Sequence, residues 1–226
     1  MNHDSNRQRL RPLVRLHYVQ SLDGRIARLG KQTRLSTSEG LLLAHRARAE
    51  HDAVLVGRGT LRTDDPLLTV RECEGSQPRR VVLSSKLDVP SSAKIFSAGG
   101  RVMIIGLEGG AHDQDRRRLV ALGAEVELVP ADSSGLLALP AVLRTLHVSG
   151  VERLLVEGGA LVLTSFLHQR LADEVTIEIA TQLLGEPGLC ALGRVSEAPF
   201  ENTPRLHKVT VERAGESLLV RGSLVY

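Results

Sequence analysis

Short apolar runs rich in Val, Ile and Leu recur through most of the chain, at residues 13–19, 53–57, 80–83, 102–106, 125–129 and 153–156. Most are followed by a segment whose apolar residues fall at helical spacing: from a Ser36 or Thr37 cap to Glu50, a short turn near Thr60, residues 113–122, residues 136–146, and a helix ending at Leu167. A strand apolar on both faces must be covered on both, and crossover helices do this. The alternation therefore predicts an α/β fold: a mostly parallel central sheet with helices on both faces. Pro140 fits its helix only in the first turn. A further short strand is expected at 67–70, after the polar corner Thr63-Asp64-Asp65-Pro66.

The end of the chain changes character. Residues 175–180, 206–213 and 217–225 read as strands with no helix between them, so antiparallel strands at the C-terminal edge are expected, with a hairpin turn at Ala214-Gly215-Glu216. No repeat or linker divides the 226 residues, and an apolar content of 42% suits one core. The reading is a single domain over 11–226 behind a flexible tail over 1–10. No run approaches the roughly 20 apolar residues of a membrane span, and the N-terminus has no apolar leader core, so no membrane partner and a cytoplasmic location are expected. Cys73 and Cys190 have no metal-ligand spacing and read as free thiols, with no metal site. The net charge of +3 comes from basic residues interspersed with acids, and there is no Trp for base stacking, so nucleic acid is not an expected partner. An anionic small molecule accounts for well-placed arginines.

Three segments carry candidate chemistry. In Leu154-Leu155-Val156-Glu157-Gly158-Gly159-Ala160-Leu161 a strand ends in a glycine pair that opens a helix, where bare backbone N–H groups and the helix dipole favour a phosphate. A tight strand-to-helix turn is the plain alternative, and G-x-G-x-x-G is absent. Glu157 adds weight, because a carboxylate at the carboxyl end of a buried strand faces the crevice where open α/β sheets bind ligands. The second segment is Gly57-Arg58-Gly59-Thr60 through Asp64-Asp65-Pro66 to Arg71; the third is Ser21-Leu22-Asp23-Gly24-Arg25-Ile26. Either could be only a turn.

In order, these segments resemble the pyrimidine reductase family of riboflavin biosynthesis, which has a dihydrofolate-reductase-like fold. The resemblance rests on Arg11-Pro12-Leu13-Val14, on Ser21-Leu22-Asp23-Gly24-Arg25-Ile26-Ala27, on His45 with Arg48-Ala49, on the long block 52–71, on 80–85, on Val156-Glu157-Gly158-Gly159 and on a strand ending in Leu183-Leu184-Gly185. It implies an NADPH-dependent reductase that converts the ribosyl group of a 5-amino-6-(5-phosphoribosylamino)pyrimidine, in its uracil or diaminopyrimidinone form, to ribityl. Hydride would pass from the cofactor to C1′ after ring opening.

The resemblance places the substrate against Thr33, Arg48, Leu68, Arg71 and Glu157, which suits a phosphate monoester beside ribose hydroxyls. It places NADPH against Val19, Leu35, Thr60, Asp64, Ser85, Gly158, Gly159, Ala160, Leu161, Val162, Leu163, Thr164 and Ser165, with Lys86 beside Ser85 for the 2′-phosphate. His17, Asp23 and Glu157 are the candidates for proton transfer. The family forms dimers, and the apolar edge strands of the tail point the same way. The chain departs from many relatives in having His17 for a lysine and Ser84 for an aspartate, while residues 33–37 are nearer the stand-alone members. Neither H-x-E nor P-C-x-x-C occurs, so reduction without deamination is expected. Dihydrofolate or pterin reductase on the same fold, a reductase of another pyrimidine-derived pathway, and a non-catalytic nucleotide-binding protein remain as rivals. The pair Arg48 and Arg71 argues for a phosphate that dihydrofolate lacks.

Overall fold

A computed structural model describes residues 10–28, 33–110, 113–193 and 203–226. The expected flexible tail, apart from Leu10, lies outside these. Strands β1 (Leu13–Ser21) and β2 (Arg25–Arg28) precede α1 (Ser38–Ala49), β3 (Ala53–Gly57), α2 (Arg58–Asp64) and β4 (Arg79–Leu83). A 3-10 turn (Lys94–Phe96) leads to β5 (Val102–Leu107), α3 (Asp113–Ala121), β6 (Glu125–Val129), α4 (Leu139–Val148), β7 (Arg153–Gly158) and α5 (Ala160–His168). The chain closes with β8 (Glu174–Ala180), β9 (Gly188–Cys190), β10 (Arg205–Ala214) and β11 (Ser217–Val225). Thr37 caps α1, its Oγ1 accepting from Gly40 N at 3.1 Å, and Pro140 falls in the first turn of α4.

Among the described residues the main sheet has nine strands in the order β10-β11-β8-β1-β7-β3-β4-β5-β6. From β8 to β6 every pairing is parallel; β11 on β8 and β10 on β11 are antiparallel. Alternate residues of one strand feed opposite cores, as the period of two requires. On β3, Ala53 and Leu55 pack with Leu143 and Leu146 of α4 and Phe166 of α5, while Val54 and Val56 pack with Leu61 of α2 and Leu119 of α3. Helices thus cover both faces. Phe166 is fully buried, and truncating it to alanine would cost roughly 3–5 kcal/mol.

The structure corrects two readings. Residues 67–70 form no strand: Leu68 has φ 54°, which breaks an extended run, and the Gln77 side-chain amide takes both Val70 backbone groups, at 2.9 and 2.7 Å. Strand β8 pairs antiparallel with β11, as expected of the C-terminal edge, and its other side lies parallel to β1, because α5 carries the chain over the sheet. Leu183-Leu184-Gly185 is loop rather than strand end. A small sheet of β2 against β9, pairing residues 160 to 165 positions apart, had no sequence signal.

Candidate active site

The carboxyl ends of β1, β7, β3 and β4 open into one cleft of about 870 Å³. It lies where the chain, having moved outward through β3 to β6, returns to insert β7 between β1 and β3, and such a reversal is where open α/β sheets bind ligands. Gly158 and Gly159 line it, with φ of 134° and 83° that side chains rarely adopt. A Cβ at Gly159 would stand 3.0 Å from Thr60 Oγ1. Gly159 is the N-cap of α5 and no side chain caps that helix, so its first-turn N–H groups face the cleft as an anion cradle.

Beside this cradle lies a buried ion pair. Arg48 of α1 donates from Nε and Nη2 to the two Glu157 carboxylate oxygens at 2.6 and 2.7 Å, and its Nη1 donates to Thr69 O at 3.1 Å. Burial works against the charge of Glu157, but the Arg48 guanidinium outweighs it and holds the carboxyl below its usual range. Arg48 is correspondingly raised, its own desolvation overcome by Glu157. One turn earlier on α1, His45 Nδ1 accepts from Arg71 N at 2.9 Å, while Arg71 Nη1 donates to Thr69 Oγ1 at 2.5 Å. Burial, then Arg48 and Arg71, keep His45 neutral by lowering its pKa. His17, buried on β1 next to β7, is lowered by desolvation against the opposing pull of Glu157.

Of the sequence-predicted residues, Val19, Thr33, Thr60, Asp64, Ser85, Glu157, Gly158, Gly159, Ala160, Leu161, Val162, Leu163 and Ser165 line the cleft. Asp64 sits at its solvent-open rim, and partial desolvation pushes its carboxyl up. Leu35 and Leu68 are instead buried packing residues. Thr164 turns inward, its Oγ1 donating to Ala160 O and accepting from Gly193 N. His17 and Arg48 stand behind the lining, and Arg71 is exposed outside it. Arg48 and Arg71 do not converge as a phosphate fork, because the Arg48 guanidinium is committed to Glu157 and Thr69. Asp23 does not face the cleft: its carboxylate accepts from Ser21 Oγ at 2.5 Å and from Leu184 and Gly185 N–H groups at 3.0 and 2.8 Å, which hold its pKa at about 2. It fastens one loop to another.

Sequence reasoning missed Asp88 and Leu189, which line the cleft, and gave no individual role to Arg58 and Ile26, which line it from within the candidate segments. It also missed His45 as a site residue, although its spacing three residues before Arg48 puts both on one helix face. Among the described residues no group of three or more His, Cys, Asp or Glu side chains could hold a metal, and no helix is long and apolar enough to cross a membrane.

The family described as the RibD C-terminal domain matches residues 12–220. A protein of Archaeoglobus fulgidus named 2,5-diamino-6-ribosylamino-4(3H)-pyrimidinone 5′-phosphate reductase is 34% identical over 225 residues, covering 93% of this chain and 97% of that protein. The riboflavin biosynthesis protein RibD of Aquifex aeolicus is 33% identical, and the match covers 93% of this chain but 57% of that one. The solved RibD of Acinetobacter baumannii superposes with a TM-score of 0.78 at 27% identity, over 96% of this chain and 59% of that one. The dihydrofolate-reductase-like architecture expected from the sequence is thereby established.

Proposed function

The chain belongs to the RibD C-terminal domain family, and from that premise we propose that it is the NADPH-dependent reductase acting on 2,5-diamino-6-ribosylamino-4(3H)-pyrimidinone 5′-phosphate in riboflavin biosynthesis. The observation that carries the proposal is the juxtaposition, at one sheet switch point, of an uncapped glycine-opened helix with the buried Arg48–Glu157 pair. The diamino form is chosen because the Archaeoglobus relative so named matches nearly end to end.

The cleft, about 870 Å³ and largely apolar in its walls, has room for a dinucleotide, and the glycine-opened end of α5 lines it. Gly158, Gly159 and the first turn of α5 would hold the pyrophosphate, Thr60 and Val19 would serve the nicotinamide end, and Ser85 and Lys86 the adenosine end. Bound there, the nicotinamide supplies a hydride. Everything else falls to the protein. Glu157, kept ionised by Arg48, accepts hydrogen bonds from ribose hydroxyls and fixes the reacting carbon in place. Arg71, on a segment tied down by His45 and Thr69, meets the 5′-phosphate, while Thr33 closes the other wall.

Proton transfer needs a group that is not already committed. Asp23 is a strong acid locked into its loop and Glu157 is held as a carboxylate, so neither donates at neutral pH. Neutral His17, behind Glu157, and Asp64 at the cleft rim, whose carboxyl partial desolvation raises, are the groups left for that work. We assign the protein one reductase domain, and a homodimer through the exposed edge of β10, where Val209 and Val211 face solvent. Light scattering showing monomer alone at micromolar concentration would remove the dimer. The activity test is NADPH consumption with the diaminopyrimidinone phosphate, the uracil analogue and dihydrofolate; absence of turnover with both phosphates rejects the proposal.

A further inference from the structure

The strand order separates two ends of the cleft. The glycine cradle follows β7, whereas residues 84–88 follow β4, two strand positions away and so roughly 10 Å across the sheet. A dinucleotide whose pyrophosphate rests on α5 brings its adenosine ribose to that second end. The groups there form a specific arrangement. Arg58 and Asp88 line the cleft and pair at 2.5 Å, and both side chains are about two-fifths exposed (40% and 39%). Asp88 also accepts from Ser84 Oγ at 2.9 Å. Arg58 Nε is shut away from solvent and finds no acceptor in the protein. Exposed Lys86 adds a second cation; Asp132 adds a carboxylate, but its Oδ1 already accepts from Ser134 and Leu136 N–H groups.

Resting on the dinucleotide reading above, we propose that Arg58 reads the adenosine 2′-phosphate and that Asp88 sets how strongly NADPH is preferred over NADH. The two coenzymes ask opposite things of this pair. A 2′-phosphate needs guanidinium donors, one of which, Arg58 Nη2, is held by the Asp88 carboxylate, and a phosphate drawn to Arg58 puts a like charge beside Asp88. A bare 2′-hydroxyl needs an acceptor, which Asp88 provides while Arg58 stays where it is. The pair is therefore a restraint on selectivity: Arg58 favours NADPH, and Asp88 taxes that choice and keeps NADH in competition. Ser84 holds the carboxylate in position for this role, where an aspartate at residue 84 would have added a second negative charge.

The test separates the subsite from turnover. Calorimetry with adenosine 2′,5′-bisphosphate and with 5′-AMP is carried out on wild type, Arg58→Ala, Asp88→Asn and Arg62→Ala, alongside kcat/KM for NADPH and NADH. Arg58→Ala should weaken the bisphosphate about ten- to a hundredfold, the loss of one charge-assisted contact, with AMP changed less than about threefold. Asp88→Asn, which keeps an acceptor for Ser84, should tighten the bisphosphate and raise the NADPH-to-NADH ratio. Arg62→Ala removes a charge from the same helix outside the cleft and should move neither ligand. Bisphosphate affinity and coenzyme ratio unmoved by Arg58→Ala overturn the assignment. An Asp88→Asn variant with an unchanged or lower ratio overturns the restraint. Wild type that binds neither nucleotide and turns over neither coenzyme sinks the dinucleotide reading itself, which is a separate result.

Discussion

Arg48 lays its guanidinium across the Glu157 carboxylate in a two-point contact at 2.6 and 2.7 Å, joining α1 to the end of β7 with both side chains nearly nine-tenths buried. Each charge is sustained by the other. Glu157→Gln should therefore remove the charged anchor for the substrate ribose and leave Arg48 buried without its counterion, a loss of roughly 3–5 kcal/mol and on the order of 10 °C in Tm. Arg48→Lys should restore little, since an ammonium cannot make the fork. Thermal melts of both variants, with kcat/KM, check this; a Glu157→Gln protein as stable and active as wild type would contradict it.

Arg71, exposed and resting its Nη1 on Thr69 Oγ1, is the cation proposed to meet the substrate phosphate. Arg71→Ala should raise KM for the phosphorylated substrate by ten- to a hundredfold, the effect of one charge-assisted contact of about 1.5–3 kcal/mol, with kcat little changed. The dephosphorylated substrate should bind wild type and variant equally poorly. If removing the phosphate leaves wild-type kcat/KM unchanged, Arg71 is a surface residue and the substrate assignment goes with it.

How much of this was legible beforehand depends on the range of each interaction. Strands β3 to β7 could be read from local apolar runs, and the capping of α1 and the place of Pro140 from local rules. The glycine cradle was legible because its backbone demand is written into two adjacent residues. What escaped was long-range. Nothing local shows that Gln77 satisfies Val70, that Asp23 fastens the 184–185 loop, or that Arg28 and Gly188 pair. Arg48 was recognised as a site residue, but its ion-pair partner was not visible: that anion is supplied by a strand more than 100 residues later.

His45 makes the fold sensitive to acid. Its Nδ1 accepts from Arg71 N, so it must be neutral, and its neighbours Arg48 and Arg71 oppose protonation while Glu72 and Glu157 favour it less strongly. The folded pKa is depressed, as it is for buried His17 and His51. A depressed histidine contributes stability above its unfolded pKa of about 6.5, and that stability is lost as pH falls through the folded value. Tm should therefore decline on acidification from neutral pH. His45→Asn, whose Oδ1 can replace the acceptor without titrating, should lower Tm at neutral pH but flatten its decline. An equal slope in both proteins would assign the effect to other groups.

Gly159 separates the cost of backbone strain from the loss of a binding site. Alanine there must adopt φ 83°, costing roughly 1–2 kcal/mol, and its Cβ meets Thr60 Oγ1 at 3.0 Å. Relief requires Thr60 to move or the N–H groups of α5 to tilt, and both belong to the proposed dinucleotide cradle. Gly123, between α3 and β6, has nearly the same φ of 85° with nothing within 4 Å of a Cβ, and it lies outside the cleft. Both variants should lose stability, a few degrees in Tm for each kcal/mol, and Gly159→Ala the more, because its ψ of 128° lies outside the left-handed helical region and its Cβ meets Thr60. Only Gly159→Ala should raise the KM for NADPH, by about tenfold or more. Adding Thr60→Ala to Gly159→Ala should recover part of that loss, because it removes the collision and leaves the strain. If the two glycine variants bind NADPH equally well, the α5 terminus is an ordinary turn and the pyrophosphate lies elsewhere in the cleft.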